Sequence, residues 1–284
     1  MIKFEHSVFA LPFAMTAAAL AVHSGQAAPG SMAGRLFWII IAMVAARSAA
    51  MTFNRLVDAR IDGLNPRTRS RHLPAQLISP SFAWTFLAVS AAVFLLAARQ
   101  LNRLCFLLAP LALGIIFFYS FTKRFTSFSH VVLGFALGIA PAAAWIAVAG
   151  SVDPRILWLA AAVTLWTAGF DIIYSCQDFE FDRESGLFSF PARFGLARAL
   201  LLARVLHAAM VLCLIFLAQS FGLGLLSLAG IAMVAALLVY EHSLVKADDL
   251  TRVNAAFFTV NGYVSVLFFC FWAADMWMSL RGKL

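Results

Sequence analysis

The sequence predicts an all-α polytopic membrane protein with nine membrane-spanning helices. Three observations carry that reading. Hydrophobic residues fill 63% of the 284 positions and charged residues only 12%, with a mean hydropathy of +0.91. The apolar residues fall into runs of crossing length, about 20 residues each. The connections between runs are mostly short, so residues 1–284 are expected to form one transmembrane unit with no separate soluble domain. Helices follow from the solvent: lipid offers the backbone no hydrogen bonds, and a helix satisfies its own.

The runs lie near residues 7–24, 35–54, 81–98, 103–121, 130–150, 155–177, 199–219, 221–240 and 254–277. The first resembles a signal peptide, an apolar core followed by Gly25-Gln26-Ala27-Ala28. It reads better as a retained span, because Lys3 is offset by Glu5 and cleavage would leave an even number of crossings. Pro12 is expected to kink it. The second run carries Arg47, and an arginine so deep in a span costs about 2.5–3.5 kcal/mol on insertion scales. Its side chain is expected to face the bundle interior and meet an anion, either a neighbouring protein group or an acidic substrate. The fourth run ends in Lys123-Arg124, which complements a helix C-terminus. Gly134 and Gly138 in the fifth make a small face for close helix contact. Residues 183–195 are apolar and aromatic for a connection, which suits a lid or a short interfacial helix. The last three runs are rich in Leu, Ala and Phe and suit a lipid-facing or alkyl-lining wall.

With the N-terminus cytoplasmic, fourteen Lys and Arg fall on that side. Only Arg35, Arg99, Arg103, Arg155, Arg281 and Lys283 fall on the other. This positive-inside bias places the chain in the cell (inner) membrane with its charged loops cytoplasmic, and it explains the net charge of +8 without nucleic acid. Cys105, Cys176, Cys213 and Cys270 show no CxxC spacing and read as small buried apolar residues rather than a zinc site or disulfide framework. The six histidines form no HxxxH pair, which argues against a histidine-built metal site. Nothing calls for an obligate protein partner.

Two polar stretches stand out against this background. In the first, Asn54, Asp58 and Asp62 recur every four residues, which on a helix stacks them about 5–6 Å apart at Cβ. Like charges so close are unfavourable unless they share a cation. The chain then turns at Asp62-Gly63 and Asn65-Pro66 and becomes basic through Arg67, Arg69, Arg71 and His72. The second stretch repeats the pattern 120 positions later, with Asp171, Tyr174, Asp178 and Asp182 again at helical spacings. These two stretches hold seven of the chain's 13 acidic residues, a concentration that a solvated face does not explain. They divide the chain into motif halves of about 1–125 and 126–245, plus a final span.

An acidic helix end beside a basic loop suits a metal-complexed anion such as a diphosphate. Mg²⁺ prefers oxygen ligands and is held by one or two carboxylates plus substrate phosphates. The metal candidates are therefore Asn54, Asp58 and Asp62 on one side with Asp178 and Asp182 on the other. Arg67, Arg71, Lys123 and Arg124 are candidates to stabilise a departing diphosphate. An allylic cation left in the apolar cavity would then be attacked by an electron-rich ring. Arg47 or Arg124 is the candidate to hold an aromatic carboxylate, and Tyr174 or Asp171 to orient a phenol or take a proton. A secondary transporter also fits the composition, but its inverted repeat would place the acids near the midplane rather than at span ends on one side. A CDP-alcohol phosphotransferase would need them in one contiguous motif.

These residues resemble the UbiA superfamily of intramembrane aromatic prenyltransferases. The family's first motif, NDxxDxxxD followed by RTxxRPLP, is met by Asn54, Asp58, Asp62, Arg67-Thr68, Arg71 and Leu73-Pro74. Its second, DxxYxxxDxxxD, is met at every fixed position by Asp171, Tyr174, Asp178 and Asp182. Lys123-Arg124 with Leu133, Gly134, Gly138 and Pro141 matches the 4-hydroxybenzoate branch. Two departures stand out. Arg55 replaces an aspartate, and Gly186-Leu187-Phe188-Ser189 replaces Gly-Ile-Lys-Ser, which leaves Arg193 as a substitute diphosphate contact. The resemblance implies nine helices in a ring around a central cavity with a lateral opening to lipid. It also implies Mg²⁺-dependent transfer from a polyprenyl diphosphate to a hydroxylated aromatic acid in ubiquinone or menaquinone biosynthesis. The expected acceptor is 4-hydroxybenzoate. The departures resemble a side-branch that includes the futalosine-route menaquinone enzyme, whose acceptor is of the dihydroxynaphthoate type.

Overall fold

The structure, a computed structural model, describes residues 7–281. Lys3, Glu5, His6 and Lys283, which entered the charge and signal-peptide readings, lie outside the described residues. Among the described residues eight helices are long and apolar enough to cross a membrane, and a shorter apolar helix precedes them. They are α1 (Ser7–His23), α2 (Met32–Leu64), α3 (Pro80–Leu101), α4 (Arg103–Thr122), α5 (Ser129–Ala149), α6 (Leu157–Ser175), α9 (Leu196–Phe221), α10 (Leu225–Leu244) and α11 (Asn261–Arg281). Two short helices, α7 (Phe179–Glu184) and α8 (Phe190–Phe194), follow α6 on the side where the acidic motifs lie. Each long helix packs on its neighbour in the chain, and α11 returns to α1, which touches α2 and closes the ring. The chain is a multi-pass membrane protein.

Sequence explains the lengths. The Ser31 hydroxyl caps α2 by accepting from the Gly34 N–H at 3.2 Å. The helix then runs past the apolar stretch to Leu64, so Asn54, Asp58 and Asp62 share one face of its last turns. It ends because the Asn65 side chain accepts the Arg67 N–H at 2.9 Å, and the Thr68 hydroxyl donates to the Asp62 carbonyl at 3.0 Å. These bonds occupy backbone groups that a helix end leaves open. At the end of α6 a tight 3-10 turn, Cys176–Asp178, joins α7. Its three residues per turn rotate Asp178 and Asp182 relative to Asp171, so the second acidic row is not a continuous α-helical stripe.

The expected close contact at Gly134 and Gly138 is present between α5 and α6. A methyl group on Gly134 would overlap the Thr164 carbonyl oxygen, and one on Gly138 would lie 2.6 Å from the Ala160 carbonyl oxygen. The core holds Trp145, Trp166, Trp272, Phe13 and Phe268, all fully buried. Trp166 Nε1 donates to Asn261 Oδ1 at 2.6 Å, and Asn261 Nδ2 donates to buried Glu241 Oε1 at 3.0 Å. The same amide reaches the carbonyls of Ala256 and Phe257, both at 3.2 Å, within a π-helical turn, Ala255–Val260, that opens α11. Large apolar side chains such as Leu107, Leu111 and Phe118 on α4 and Val239 on α10 point outward. That is the normal outer surface of a helix ring in lipid. The cysteines are all free, but burial holds only for Cys176 and Cys213. Cys105 is half-buried and Cys270 is exposed on the outer face of α11.

Candidate active site

Both acidic rows open onto one cavity of about 180 Å³. Helix α2 supplies Asn54, Asp58 and Asp62, and the loop after it supplies Asn65, Arg67 and Arg71. The facing wall is Asp171 and Tyr174 from α6, Asp178 from the 3-10 turn after it and Asp182 from α7. Tyr119, Lys123 and His130 come from the end of α4 and the start of α5, and Leu187 and Ser189 cover the rim. A second hollow, about 300 Å³, lies against His23, Gly224 and Asp275 at the opposite ends of the helices. Its one carboxylate is occupied, accepting from the Gly224 N–H at 2.6 Å and the Ser227 hydroxyl at 3.0 Å. The chemistry therefore belongs to the first cavity.

Every carboxylate of the first row meets a cation. Asp58, 2% exposed, takes Lys123 Nζ at 2.7 Å and Arg124 at 3.2 Å and accepts the Asn54 amide at 3.0 Å. Asp62 takes Arg71 at 2.6 Å and Arg55 at 3.5 Å. Arg55 thus neutralises the row at the position where the family pattern has another carboxylate. Across the cavity, Asp178 is held by the Asn65 amide at 2.9 Å and Arg67 Nε at 2.8 Å, with a second contact from Arg67 Nη2. Arg67 also donates to the Tyr174 hydroxyl at 3.0 Å. Burial disfavours the Arg67 charge, but its hydrogen bonds and attraction to Asp178 outweigh that and hold its pKa above the ordinary value.

Among the described residues no three His, Cys, Asp or Glu side chains close into a ready-made metal cage. The donor set nevertheless fits a hard cation that keeps ligands from its substrate. It is all oxygen, split between two walls, and Asp62 Oδ2 is buried with no hydrogen-bond partner.

Three sequence expectations land differently. Arg124 binds Asp58 and the Val57 carbonyl, at 2.8 Å for the latter, so it serves the acid row and is not among the cavity-lining residues. Arg193 is exposed, its guanidinium over the Phe194 ring, and does not line the cavity. It sits in the last turn of α8, while Ser189 at the other end of that helix meets the site. Arg47 lies seven residues, about 10 Å of helix rise, deeper than Asn54. Its Nε is buried without a partner, no carboxylate pairs with it among the described residues, and it is not among the cavity-lining residues; of its two expected anions the protein carboxylate is absent and the acidic substrate stands. Tyr119 and His130 also line the cavity with little signal in the sequence. Tyr119 gave only its place beside Lys123-Arg124. His130 has no HxxxH partner in the sequence, yet its Nδ1 lies 2.7 Å from Asp171 Oδ2.

The profile of the UbiA prenyltransferase family matches residues 10–279. The chain belongs to this family. Its curated relatives include the 4-hydroxybenzoate octaprenyltransferase of Vibrio atlanticus, 31% identical over 82% of this chain and 83% of that one. That of Ectopseudomonas mendocina is 32% identical over 74% and 71%. Among solved structures, the apo UbiA homologue from Aeropyrum pernix superposes with a TM-score of 0.86 at 33% identity, over 97% of this chain and all of that one. A UbiA homologue from Archaeoglobus fulgidus, bound to DMAPP and Mg²⁺, shares the fold at a TM-score of 0.70 and 22% identity, over 95% of each chain. The protein is thus a UbiA-type prenyltransferase of the membrane, and the transporter reading falls.

Proposed function

We propose that the enzyme transfers a polyprenyl group from an allylic polyprenyl diphosphate to a hydroxylated aromatic acid, with 4-hydroxybenzoate as the acceptor and Mg²⁺ as the metal. One observation carries the reading. The two acidic rows, remote in sequence, face each other across a single cavity, where Lys123, Arg124, Arg55 and Arg71 meet Asp58 and Asp62, and Arg67 meets Asp178. The curated relatives, named for 4-hydroxybenzoate, support the acceptor.

Asn54, Asp58, Asp62, Asp178 and Asp182 would hold Mg²⁺, which when bound would neutralise the diphosphate and favour its departure. With Mg²⁺ held by the carboxylates, Arg67, Arg71 and Lys123, which pair with those acids in the structure, would be free to turn to the phosphate oxygens. They are then preorganised for the charge that develops as the allylic C–O bond breaks. The fall in competition makes binding an exchange of partners, so no cation is left buried and unpaired. Apolar walls above the site exclude the water that would quench an allylic cation. Arg47, unpaired and deep in α2, suits the carboxylate of the aromatic acid better than Arg124, which Asp58 occupies. The acceptor hydroxyl is oriented by Tyr174 and Asp171, and Asp171 takes the ring proton that the new C–C bond displaces at the ortho carbon. The charge asymmetry of the loops supports a cell-membrane protein with this site facing the cytoplasm.

The alternative acceptor is a dihydroxynaphthoate-type acid, favoured by Arg55 and by Leu187-Phe188 at the family's usual lysine loop. The experiment supplies purified protein with Mg²⁺, geranyl or farnesyl diphosphate and each acid in turn, with products separated by chromatography. Product from 4-hydroxybenzoate supports the first reading and product from the naphthoate alone the second. No product from any aromatic acid overturns both.

A further inference from the structure

The loop covering the cavity is tied to Asp171 through one imidazole. His130 opens the first turn of α5 and is 4% exposed. Its Nε2 lies 3.4 Å from the backbone N–H of Phe190. A backbone N–H only donates, so Nε2 is the acceptor and the ring proton sits on Nδ1. Nδ1 therefore donates to Asp171 Oδ2 at 2.7 Å. The other oxygen, Oδ1, takes no hydrogen bond from the described residues and remains available to the cavity that Asp171 lines.

The Phe190 amide is one of the donors that the start of α8 leaves open. Ser189 caps the same turn by accepting the Ala192 N–H at 3.3 Å and itself lines the cavity. Two residues earlier the Phe188 N–H donates to the Lys123 carbonyl at 2.8 Å. Phe190 also packs edge-on to Phe128, 6.1 Å between ring centres. The covering loop is thereby pinned to α4 and α5, and His130 converts that attachment into an oriented carboxylate on α6.

We propose that His130 is a positioning residue: it fixes the rotamer of Asp171 only when residues 188–190 lie over the cavity, so that the acceptor meets an aligned carboxylate only in a covered site. This rests on the prenyl-transfer reading above. Its hydrogen bonds among the described residues go to Asp171 and Phe190 and not to the diphosphate-binding groups, so its loss is expected to fall mainly on the aromatic half of the reaction.

The test compares His130→Leu, which removes both hydrogen bonds, with His130→Gln, which offers one donor and one acceptor. Initial rates are measured with Mg²⁺, farnesyl diphosphate and the acid that the wild type accepts. His130→Leu is expected to lower kcat about 100-fold, the scale of a lost proton-transfer group, with KM for farnesyl diphosphate changed less than about twofold. His130→Gln is expected to recover kcat to within about tenfold of wild type. A second pair guards against misfolding at position 130. Phe190→Ala and Phe190→Pro lose the same ring, but only proline loses the N–H, at a helix position that tolerates it. Phe190→Pro is expected to be about tenfold slower than Phe190→Ala. Equal rates in that pair, or a His130→Leu enzyme with wild-type kcat, overturn the proposal. A wild type that prenylates no aromatic acid sinks the aromatic-acceptor reading instead. Hydrogen exchange at the Phe190 amide still decides the contact, with faster exchange expected in His130→Leu and unchanged exchange overturning it.

Discussion

Arg67 reaches across the cavity to Asp178, 111 positions away in sequence, and binds it through Nε at 2.8 Å. The pair, with the Asn65 amide on the same carboxylate, joins the loop after α2 to the turn that follows α6 and holds the two acidic rows across one site. With its side chain 30% exposed, Arg67 is free to trade Asp178 for a phosphate.

That exchange predicts the behaviour of Arg67→Met. Asp178 keeps the Asn65 amide, so the fold is expected to survive and membrane abundance to stay at the wild-type level. The diphosphate loses a cation on the departing charge, and kcat/KM for farnesyl diphosphate is expected to fall about 100-fold. Steady-state rates decide it, and an unchanged kcat/KM removes Arg67 from the diphosphate site.

Asp58→Ala and Asp178→Ala are each expected to abolish product while leaving protein abundance in the membrane intact. Lys123 and Arg124, which Asp58 releases, have side chains 31% and 39% exposed. They can turn to water, and the penalty for a stranded buried charge is largely avoided. Product assays alongside immunoblots of membranes test this. Near-wild-type turnover by either variant dismantles the two-row mechanism.

Metal dependence has a readout apart from turnover. Asp62 Oδ2, buried without a hydrogen bond and met only by Arg55 at 3.5 Å, and the all-oxygen donors predict that Mg²⁺ with inorganic diphosphate raises the melting temperature of detergent-solubilised protein. Saturation near 100 times Kd corresponds to about 2.7 kcal/mol. Chelator is expected to reverse the shift and to stop prenyl transfer. Equal shifts in wild type and an Asp62→Ala, Asp178→Ala double variant place the metal elsewhere.

The α5–α6 contact makes a prediction about stability alone. At Gly134 the obstacle is the Thr164 backbone carbonyl, which has no rotamer to move. Gly134→Ala is therefore expected to destabilise by about 1–3 kcal/mol. Gly114→Ala on α4, where nothing lies within 4 Å of the added carbon, is expected to be neutral or mildly stabilising. Thermal unfolding of the two variants side by side provides the comparison.

Some of the protein could be read from the chain because the signal is local. Apolar runs of bilayer length dictate spanning helices, and Asn54, Asp58 and Asp62 at intervals of four share a face on any α-helix. Asp171, Tyr174, Asp178 and Asp182 stood out through scarcity, since a charge at the end of a span is kept only where something compensates it. Gly134 and Gly138 likewise announced a close helix contact through their spacing.

What was not legible depends on groups that meet only after the ring closes. Nothing adjacent in the chain says that Arg67 crosses to Asp178, that Arg193 faces away on α8, or that Arg47 has no carboxylate beside it among the described residues. The Trp166–Asn261–Glu241 chain and the His130–Asp171 pair join residues 20 to 95 positions apart. Periodicity carries no information at that range, because a helix repeat specifies which face a residue occupies and not which neighbour that face will meet. The sequence by itself determined the membrane class, the spans and the identity of the acidic rows. Tertiary packing alone decided which cation each carboxylate holds and which ones remain free for a ligand.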